Sequence, residues 1–238
     1  VFDYSAMLEV SENNPARLLK NHIPNLPTKH KPALPREELP EFYRRLILAN
    51  NIEQQNKIAI MLVMLVFVRN NELRGGQWQE VDFKNKRWII PAERMKHEKM
   101  KPKPALCVPL SDWAIKLLQE LHTLTGHSRF MFPSRTNINR HISENTLGKI
   151  INEKLGYKGR ATPHGFRAVA SSLLYENNFN GGAIETQLAH VEEDKIKGAY
   201  SYLADYMPQR IEMMQWYSDF LRERYNQALQ MIQDGETN

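Results

Sequence analysis

The sequence has little cysteine, no long apolar run and only a small excess of one charge. Its one cysteine is Cys107, which excludes an intramolecular disulfide and indicates a reducing compartment. The longest apolar run extends from Ile58 to Val68. That run is well short of the roughly 18–20 residues that cross a bilayer, so it predicts a buried core helix. Lys and Arg total 32 against 27 Asp and Glu, a net charge of +5. This charge permits a nucleic-acid partner without requiring one.

Proline marks the expected domain boundary. Four prolines fall between Asn21 and Pro35, a composition typical of a linker. Residues 1–20 have the pattern of the end of a helix and its exit, so we expect the chain to be a piece of a longer protein. We therefore predict a truncated domain at 1–20, a linker at 21–34 and the main domain at 35–238.

The main domain is predicted to be α+β, mainly α-helical, with a small three-stranded antiparallel sheet. The final helix has an apolar stripe, which would pack either on its own domain or on a neighbouring protomer. Periodicity and cap residues give the expected elements. The helices are expected at Pro35–Asn50, Glu53–Val68, Asp112–Leu124, Ser143–Leu155, from Thr162 onward, Gly182–His190, Asp194–Tyr202 and Gln209–Gln233, and the strands at Gln77–Phe83, Arg87–Pro91 and Ala105–Leu110.

The stretch Ala161–Leu203 concentrates residues suited to phosphoryl transfer. His164 and Arg167 are three apart on one predicted helix, so they share a face, and His190 and Tyr200 follow. Arginine pairs bidentately with phosphate and stays charged. A side-chain nucleophile also needs a general base and a general acid. These residue types together are what cleavage of a phosphodiester requires.

Other charged residues extend this set along the chain. In order, the sequence has Arg69 in Arg-Asn-Asn-Glu-Leu-Arg-Gly, Lys96 in Ile-Pro-Ala-Glu-Arg-Met-Lys, then Ala-Thr-Pro-His-Gly-Phe-Arg, and then Gln-Leu-Ala-His and Tyr200. This order resembles the tyrosine recombinase (phage integrase) family, and within it the integrases of satellite phages and genomic islands. The resemblance covers about Leu34 to Trp216, nearly all of the catalytic domain.

The resemblance implies roles for individual residues. Arg69 and Arg167 would bind the scissile phosphate, with Glu72 orienting Arg69. Tyr200 would attack to give a 3′-phosphotyrosine, and Lys96 would protonate the leaving 5′-oxygen. His164 would transfer a proton and His190 would hydrogen-bond a phosphate oxygen. DNA-binding residues would be Lys99, Lys101 and Arg160.

The resemblance also implies partners and an assembly. Residues 1–20 would end a core-DNA-binding domain that precedes the catalytic domain. The partner would be double-stranded DNA carrying attachment sites, bound by a homotetramer of a protein that is a monomer in isolation. A DNA-bending accessory protein is a further possible partner. The reaction would need no metal or other cofactor, no membrane would be involved, and the protein would act on DNA in the cytoplasm of a bacterial host.

The match leaves alternatives open. The family often has Thr-Gly before the first arginine, where this chain has Phe67 and Val68. Tyr202 and Tyr206 lie close to Tyr200 as alternative nucleophiles, and Lys99 or Lys101 could replace Lys96. Single residues have simpler explanations: a lone histidine is usually a packing or surface residue, and His97, His164 and His190 lack the spacing and the cysteines typical of zinc. Besides a recombinase, a type IB topoisomerase-like enzyme and a DNA-binding accessory module with a vestigial catalytic set remain alternatives.

Overall fold

The structure, a computed structural model, describes residues 7–8, 32–95, 104–190 and 206–236. The chain divides into two units, Val1–His30 and Lys31–Asn238, and every element named below belongs to the second. The predicted helix at Asp194–Tyr202 lies outside the described residues, and the proposed domain boundaries stay predictions. Among the helices described, none is both long and apolar enough to span a membrane.

The core of the fold is an apolar helix, α2 (Gln54–Val66). Every residue from Ile58 to Val68 is buried, which confirms the expectation of a core helix from the apolar run. Helix α1 (Leu39–Leu48) precedes it, introduced by a short 3-10 turn at Arg36–Glu38. Leu34 also belongs to the core.

The predicted three-stranded antiparallel sheet is present. Its strands are β1 (Val81–Asp82), β2 (Arg87–Ile90) and β3 (Leu106–Pro109), in that order. The first strand is shorter than predicted because Trp78–Glu80 forms a 3-10 turn. The buried Glu80 carboxylate accepts a hydrogen bond from the Gln77 backbone N–H at 3.2 Å, which stabilises the turn in place of strand pairing.

Two elements were not predicted. Helix α3 (Asn70–Arg74) follows α2 after a break of three residues. A hairpin of β4 (Pro133–Ser134) and β5 (Asn137–His141) follows α4 (Asp112–Thr125). Its strands are polar and largely exposed, so they lack the alternation that identifies a half-buried strand. The boundaries of α4 were predicted well, since Ser111 caps its start and Gly126 ends it.

The remaining helices differ from prediction mainly at their starts. Helix α5 (Thr146–Lys149) continues as a π-helical turn at Ile150–Lys154 and ends before Gly156, whose φ is +76°. Helix α6 (Gly165–Glu176) begins after the predicted Thr162. Thr162 still acts at its start, because its Oγ1 accepts the Gly165 N–H at 2.9 Å. Helix α7 spans Gly181–Gln187.

The final helix, α8 (Met207–Glu236), packs on its own domain. Tyr217 lies with its ring centroid 5.5 Å from that of Phe67, and Tyr225 lies 5.5 Å from Tyr43 of α1. Its stripe includes the predicted Met214, Tyr217, Leu221 and Ala228, all buried. Ile211 was placed on this stripe but is 51% exposed. Docking of the stripe on a neighbouring protomer stays a prediction.

Candidate active site

Two helix ends with strained backbone meet at the candidate site. Helix α2 ends at Phe67 with φ +35° and ψ +34°, and α7 is followed by Ala189 with φ +50°. Residues other than glycine rarely adopt this left-handed conformation, and such strain concentrates at functional sites. At α7 the His190 N–H donates to the Glu185 carbonyl and the Ala189 N–H to that of Thr186. These two bonds form a Schellman motif, which explains why the chain turns before His190.

Arg69 lies at the N-cap of α3 and is fixed by Glu72. Its Nη1 donates to Glu72 Oε1 at 3.1 Å, and its backbone N–H donates to Oε2 at 2.7 Å. The Glu72 side chain is only 2% exposed, so the guanidinium is paired with a buried carboxylate. Arg69 Nη2 reaches the Ala189 carbonyl at 3.4 Å. The expected orienting role of Glu72 therefore has a geometric basis.

Arg167 bridges the same two helix ends from inside the domain. One terminal nitrogen donates to the Phe67 carbonyl and the other to the Leu188 carbonyl at 2.8 Å. Burial, and next the charge of Arg69, lower the pKa of Arg167 to about 10. The side chain remains a cation at neutral pH, and a bound phosphate would offset the unfavourable pairing of the buried Arg167 charge with the partly buried Arg69 charge.

His190 is held by a carboxylate on its own turn. Its Nδ1 lies 2.6 Å from Glu185 Oε2, and the hydroxyl of Tyr175 donates to Glu185 Oε1 at 2.8 Å. Because a carboxylate accepts, Nδ1 carries the hydrogen of this bond. His190 is about half exposed, with a side-chain exposure of 48%, and can reach a ligand from solvent.

His164 is the N-cap residue of α6. It is exposed and precedes the first helical residue, whereas Arg167, one turn later, is buried. Gly165 follows His164 at a close approach, because a Cβ added there would lie 2.0 Å from the Pro32 carbonyl oxygen. The glycine of His-Gly-Phe-Arg is therefore required by chain packing.

The described residues end at Met95, just before Lys96, and resume at Pro104. Arg94 donates to the buried Glu80 carboxylate at 2.7 Å and to the Glu72 carbonyl at 3.1 Å. These bonds tie the base of the β2–β3 connection to α3. The residues Lys96, Lys99, Lys101, Tyr200 and Tyr202 lie outside the described residues, so their expected roles stay predictions.

Two other expected residues are described. Arg160 is paired with Glu38 and lies over the Tyr157 ring, 5.3 Å from its centroid. Its expected contact with DNA stays a prediction. The ring of Tyr206 lies against α7, where a Cβ added at Gly182 would fall 2.6 Å from it. Its role as an alternative nucleophile stays a prediction.

Several residues of the site were missed by the sequence analysis. Glu185 and Tyr175 orient His190, and Arg94 orients the connection through Glu80. The signal for Glu185 was its place five residues before His190, which brings the two together only once Ala189 reverses the chain. No sequence pattern marks Phe67 or Ala189 as left-handed, because both are residues that normally continue a helix or strand.

These contacts bring two arginines and a histidine to two strained turns. The sequence pattern of the phage integrase family matches residues 33–206. The chain is 33% identical to the integrase of Enterobacteria phage P4, over 98% of this chain and 55% of that protein. The chain belongs to the phage integrase family. It spans about half the length of the curated relatives it matches.

Solved structures share the fold at low sequence identity. The integrase of mycobacterium phage Brujita aligns with a TM-score of 0.59 at 14% identity, covering 95% of this chain and 72% of that one. A lambda integrase tetramer bound to a Holliday junction aligns with a TM-score of 0.57 at 12% identity, covering 81% of this chain and 56% of that one. The predicted fold class, that of tyrosine recombinase catalytic domains, is confirmed.

Proposed function

We propose that this chain contains the catalytic domain of a site-specific DNA recombinase that cuts and rejoins strands through Tyr200. The observation that carries the proposal is the convergence of Arg69 and Arg167 on the carbonyls of Leu188 and Ala189. His190 follows directly on the same turn. A pair of fixed cations beside a histidine suits a phosphodiester, whose charge rises in the transition state.

In the proposed reaction the Tyr200 oxygen forms a bond to phosphorus while the bond to the 5′-oxygen breaks. His164 takes part in the proton transfer from the tyrosine, and Lys96 supplies a proton to the 5′-oxygen. Arg69 and Arg167 bind the non-bridging oxygens, and His190 donates to one of them. The aryl phosphate retains the bond energy, so a 5′-hydroxyl can attack it and reverse the step.

The contacts around His190 support the enzymatic alternative over a vestigial binding module. A histidine that only packs does not need Glu185 to hold its Nδ1, nor Tyr175 to hold the Glu185 carboxylate in turn. Fixing a ring through one nitrogen is how proteins present the other nitrogen to a ligand. A type IB topoisomerase-like activity uses the same chemistry and is separated from recombination by whether two duplexes exchange strands.

The proposed substrate is double-stranded DNA carrying attachment sites, in a bacterial host. The lambda integrase structure is a tetramer on a Holliday junction. By analogy, we propose that this protein assembles as a homotetramer on two duplexes, with a DNA-bending protein as a possible accessory. Integration or excision of a mobile element would be the result.

The test is capture of the covalent intermediate in the longest form of the protein that carries this chain. On a nicked duplex with the true core site, the short leaving strand diffuses away and cannot religate. We expect an SDS-resistant protein–DNA adduct that forms in the presence of EDTA. Tyr200→Phe removes only the attacking oxygen, so DNA binding should persist while the adduct disappears.

Two matched variants complete this test. Tyr202→Phe and Tyr206→Phe make the same change at the neighbouring tyrosines and should leave the adduct intact. Loss of the adduct in only one of these two would assign the nucleophile to that residue. No adduct from the wild-type protein on a verified site would contradict the proposed enzyme and favour a binding module.

A further inference from the structure

A buried arginine lies behind the proposed active site. Arg210, near the start of α8, is 2% exposed. Its Nη2 donates to the carbonyl of Cys107 in β3 at 2.6 Å and to Gln187 Oε1 at 2.7 Å, and its Nε lies 3.2 Å from the same oxygen. Burial of a guanidinium is costly unless its donors are satisfied. Arg210 thus forms hydrogen bonds with both β3 and the last residue of α7.

Gln187 continues this link toward the site. It is fully buried, and its Nε2 donates to the Val66 carbonyl at 3.1 Å. Val66 and Gln187 each immediately precede a residue whose carbonyl accepts from Arg167, namely Phe67 and Leu188. The ends of α2 and α7 are therefore joined twice, once through Gln187 and once, at the next residue of each chain segment, through Arg167.

These contacts join four elements, α2, α7, β3 and α8, and each of them lies near a proposed catalytic residue in the sequence. The end of α2 leads to Arg69, and the end of α7 leads to His190. Strand β3 follows the connection that contains Lys96, and Arg210 follows Tyr200 by ten positions. An apolar residue at position 210 would suffice to dock α8. The hydrogen bonds of Arg210 in addition fix the positions of particular groups, the Cys107 carbonyl and the Gln187 side chain.

We propose that Arg210 and Gln187 are positioning residues for strand cleavage. Gln187 links the end of α7 to the end of α2, and Arg210 fixes the Gln187 side chain that makes this link. This inference rests on the proposed function. Reacting groups held about 1 Å out of place can lose on the order of a hundredfold in rate even when binding is intact. The link should therefore affect the chemical step more than the affinity for DNA.

The test uses variants that remove the link but keep side-chain bulk. Arg210→Met and Gln187→Leu each delete one side of it, and the double variant deletes both. Arg222→Met is the matched control, because Arg222 lies on the same helix and its guanidinium lies over Trp113, 4.9 Å from the ring centroid. For each protein we would measure the thermal midpoint, the Kd for a core-site duplex and the single-turnover rate of adduct formation on prebound nicked DNA.

We expect both single variants to form the adduct at least about tenfold more slowly, with Kd within about twofold of wild type. The double variant should be slowed by less than the product of the two single effects, because the two side chains share one contact. Arg210→Lys should restore part of the rate, since an ammonium can reach one of the two acceptors. Arg222→Met should cleave at the wild-type rate.

An unchanged rate in Arg210→Met and Gln187→Leu would overturn the positioning role. So would a double variant slowed by the product of the two single effects, or a rate loss in Arg222→Met equal to that in Arg210→Met. No adduct from the wild-type protein would overturn the proposed function, and this inference with it. An adduct formed equally fast by wild type and Arg210→Met would overturn the inference alone.

Discussion

At the scale of single residues, the two proposed phosphate ligands are held in different ways. Arg69 is supported by an acidic side chain, Glu72, whereas Arg167 is supported by two backbone carbonyls. Backbone acceptors do not carry a full charge, so they leave the positive charge of Arg167 largely uncompensated. Burial and the neighbouring Arg69 lower its pKa accordingly. Two cations held close together favour a bound anion, which is the role proposed for this pair.

This arrangement predicts that Arg167→Lys will cleave poorly. Lysine keeps the charge, but its single nitrogen cannot reach the Phe67 and Leu188 carbonyls and still present a planar pair of donors to phosphate. We expect adduct formation to fall by about 100-fold, while the Kd for DNA changes little. Single-turnover cleavage and a binding titration would measure the two effects.

Arg44→Lys is the matched control, because Arg44 forms a partly exposed pair with Glu41 on α1 and should cleave like wild type. If Arg167→Lys forms the adduct at the wild-type rate, the planar fork of Arg167 is not needed and the proposed clamp is wrong at that position.

At the scale of elements, the end of α2 decides where Arg69 lies. A helix that continued through Phe67 would carry Arg69 around the helix axis, away from the turn at Ala189. The left-handed Phe67 ends the helix, and its carbonyl accepts a hydrogen bond from Arg167. Phe67 offsets the strain by packing its fully buried ring against Tyr217 of α8.

This conformation predicts an inverted preference between alanine and glycine at position 67. Phe67→Ala and Phe67→Gly both lose a buried ring, which costs about 3 kcal/mol or more of unfolding free energy. Glycine avoids the left-handed penalty, so Phe67→Gly should be more stable than Phe67→Ala by about 1 kcal/mol. Urea denaturation of both variants would measure the difference.

Leu65 provides the control for this comparison. It is buried inside α2, where alanine is the better helix former, so Leu65→Ala should be more stable than Leu65→Gly by about 1 kcal/mol. The same order at both positions would contradict a left-handed Phe67.

At the scale of the whole molecule, α8 packs against the domain that carries the site. Its contacts with α1 and with Phe67 occupy most of its apolar stripe, and Arg210 joins it to β3 and α7. The helix is therefore part of the framework behind the arginines in this chain. Partial exposure of Trp216 and Phe220 leaves one side of it less covered.

The charge of the molecule predicts a salt-dependent affinity for duplex DNA. With a net charge of +5 and a phosphate-binding site, association should release counterions. We expect the Kd of this chain for a core-site duplex to rise by about tenfold or more between roughly 50 and 200 mM salt. Arg167→Lys should show the same slope, because it keeps the charge. An affinity independent of salt would contradict an interface based on phosphates.

Local sequence was sufficient for much of the framework. The apolar run at Ile58–Val68 predicted the core helix, because that many adjacent apolar residues can be satisfied only by burial on all sides. Gly126 predicted the end of α4, and the structure adds Ser111 as the cap at its start. The resemblance named Arg69, Glu72, Arg167 and His190, which the structure brings together at two helix ends.

By itself, then, the sequence determined the class of fold, the core helix and the residue types of the candidate site. The tertiary structure alone decided how those residues are held. Glu185 meets His190 only because Ala189 turns the chain back, and Gln187 and Arg210 meet only after residues far apart in sequence have packed. The left-handed turn at Phe67 likewise depends on Arg167 and Tyr217, which stabilise a conformation that the local sequence disfavours. Capping and periodicity act between neighbours along the chain, whereas these contacts arise from the packing of separate elements.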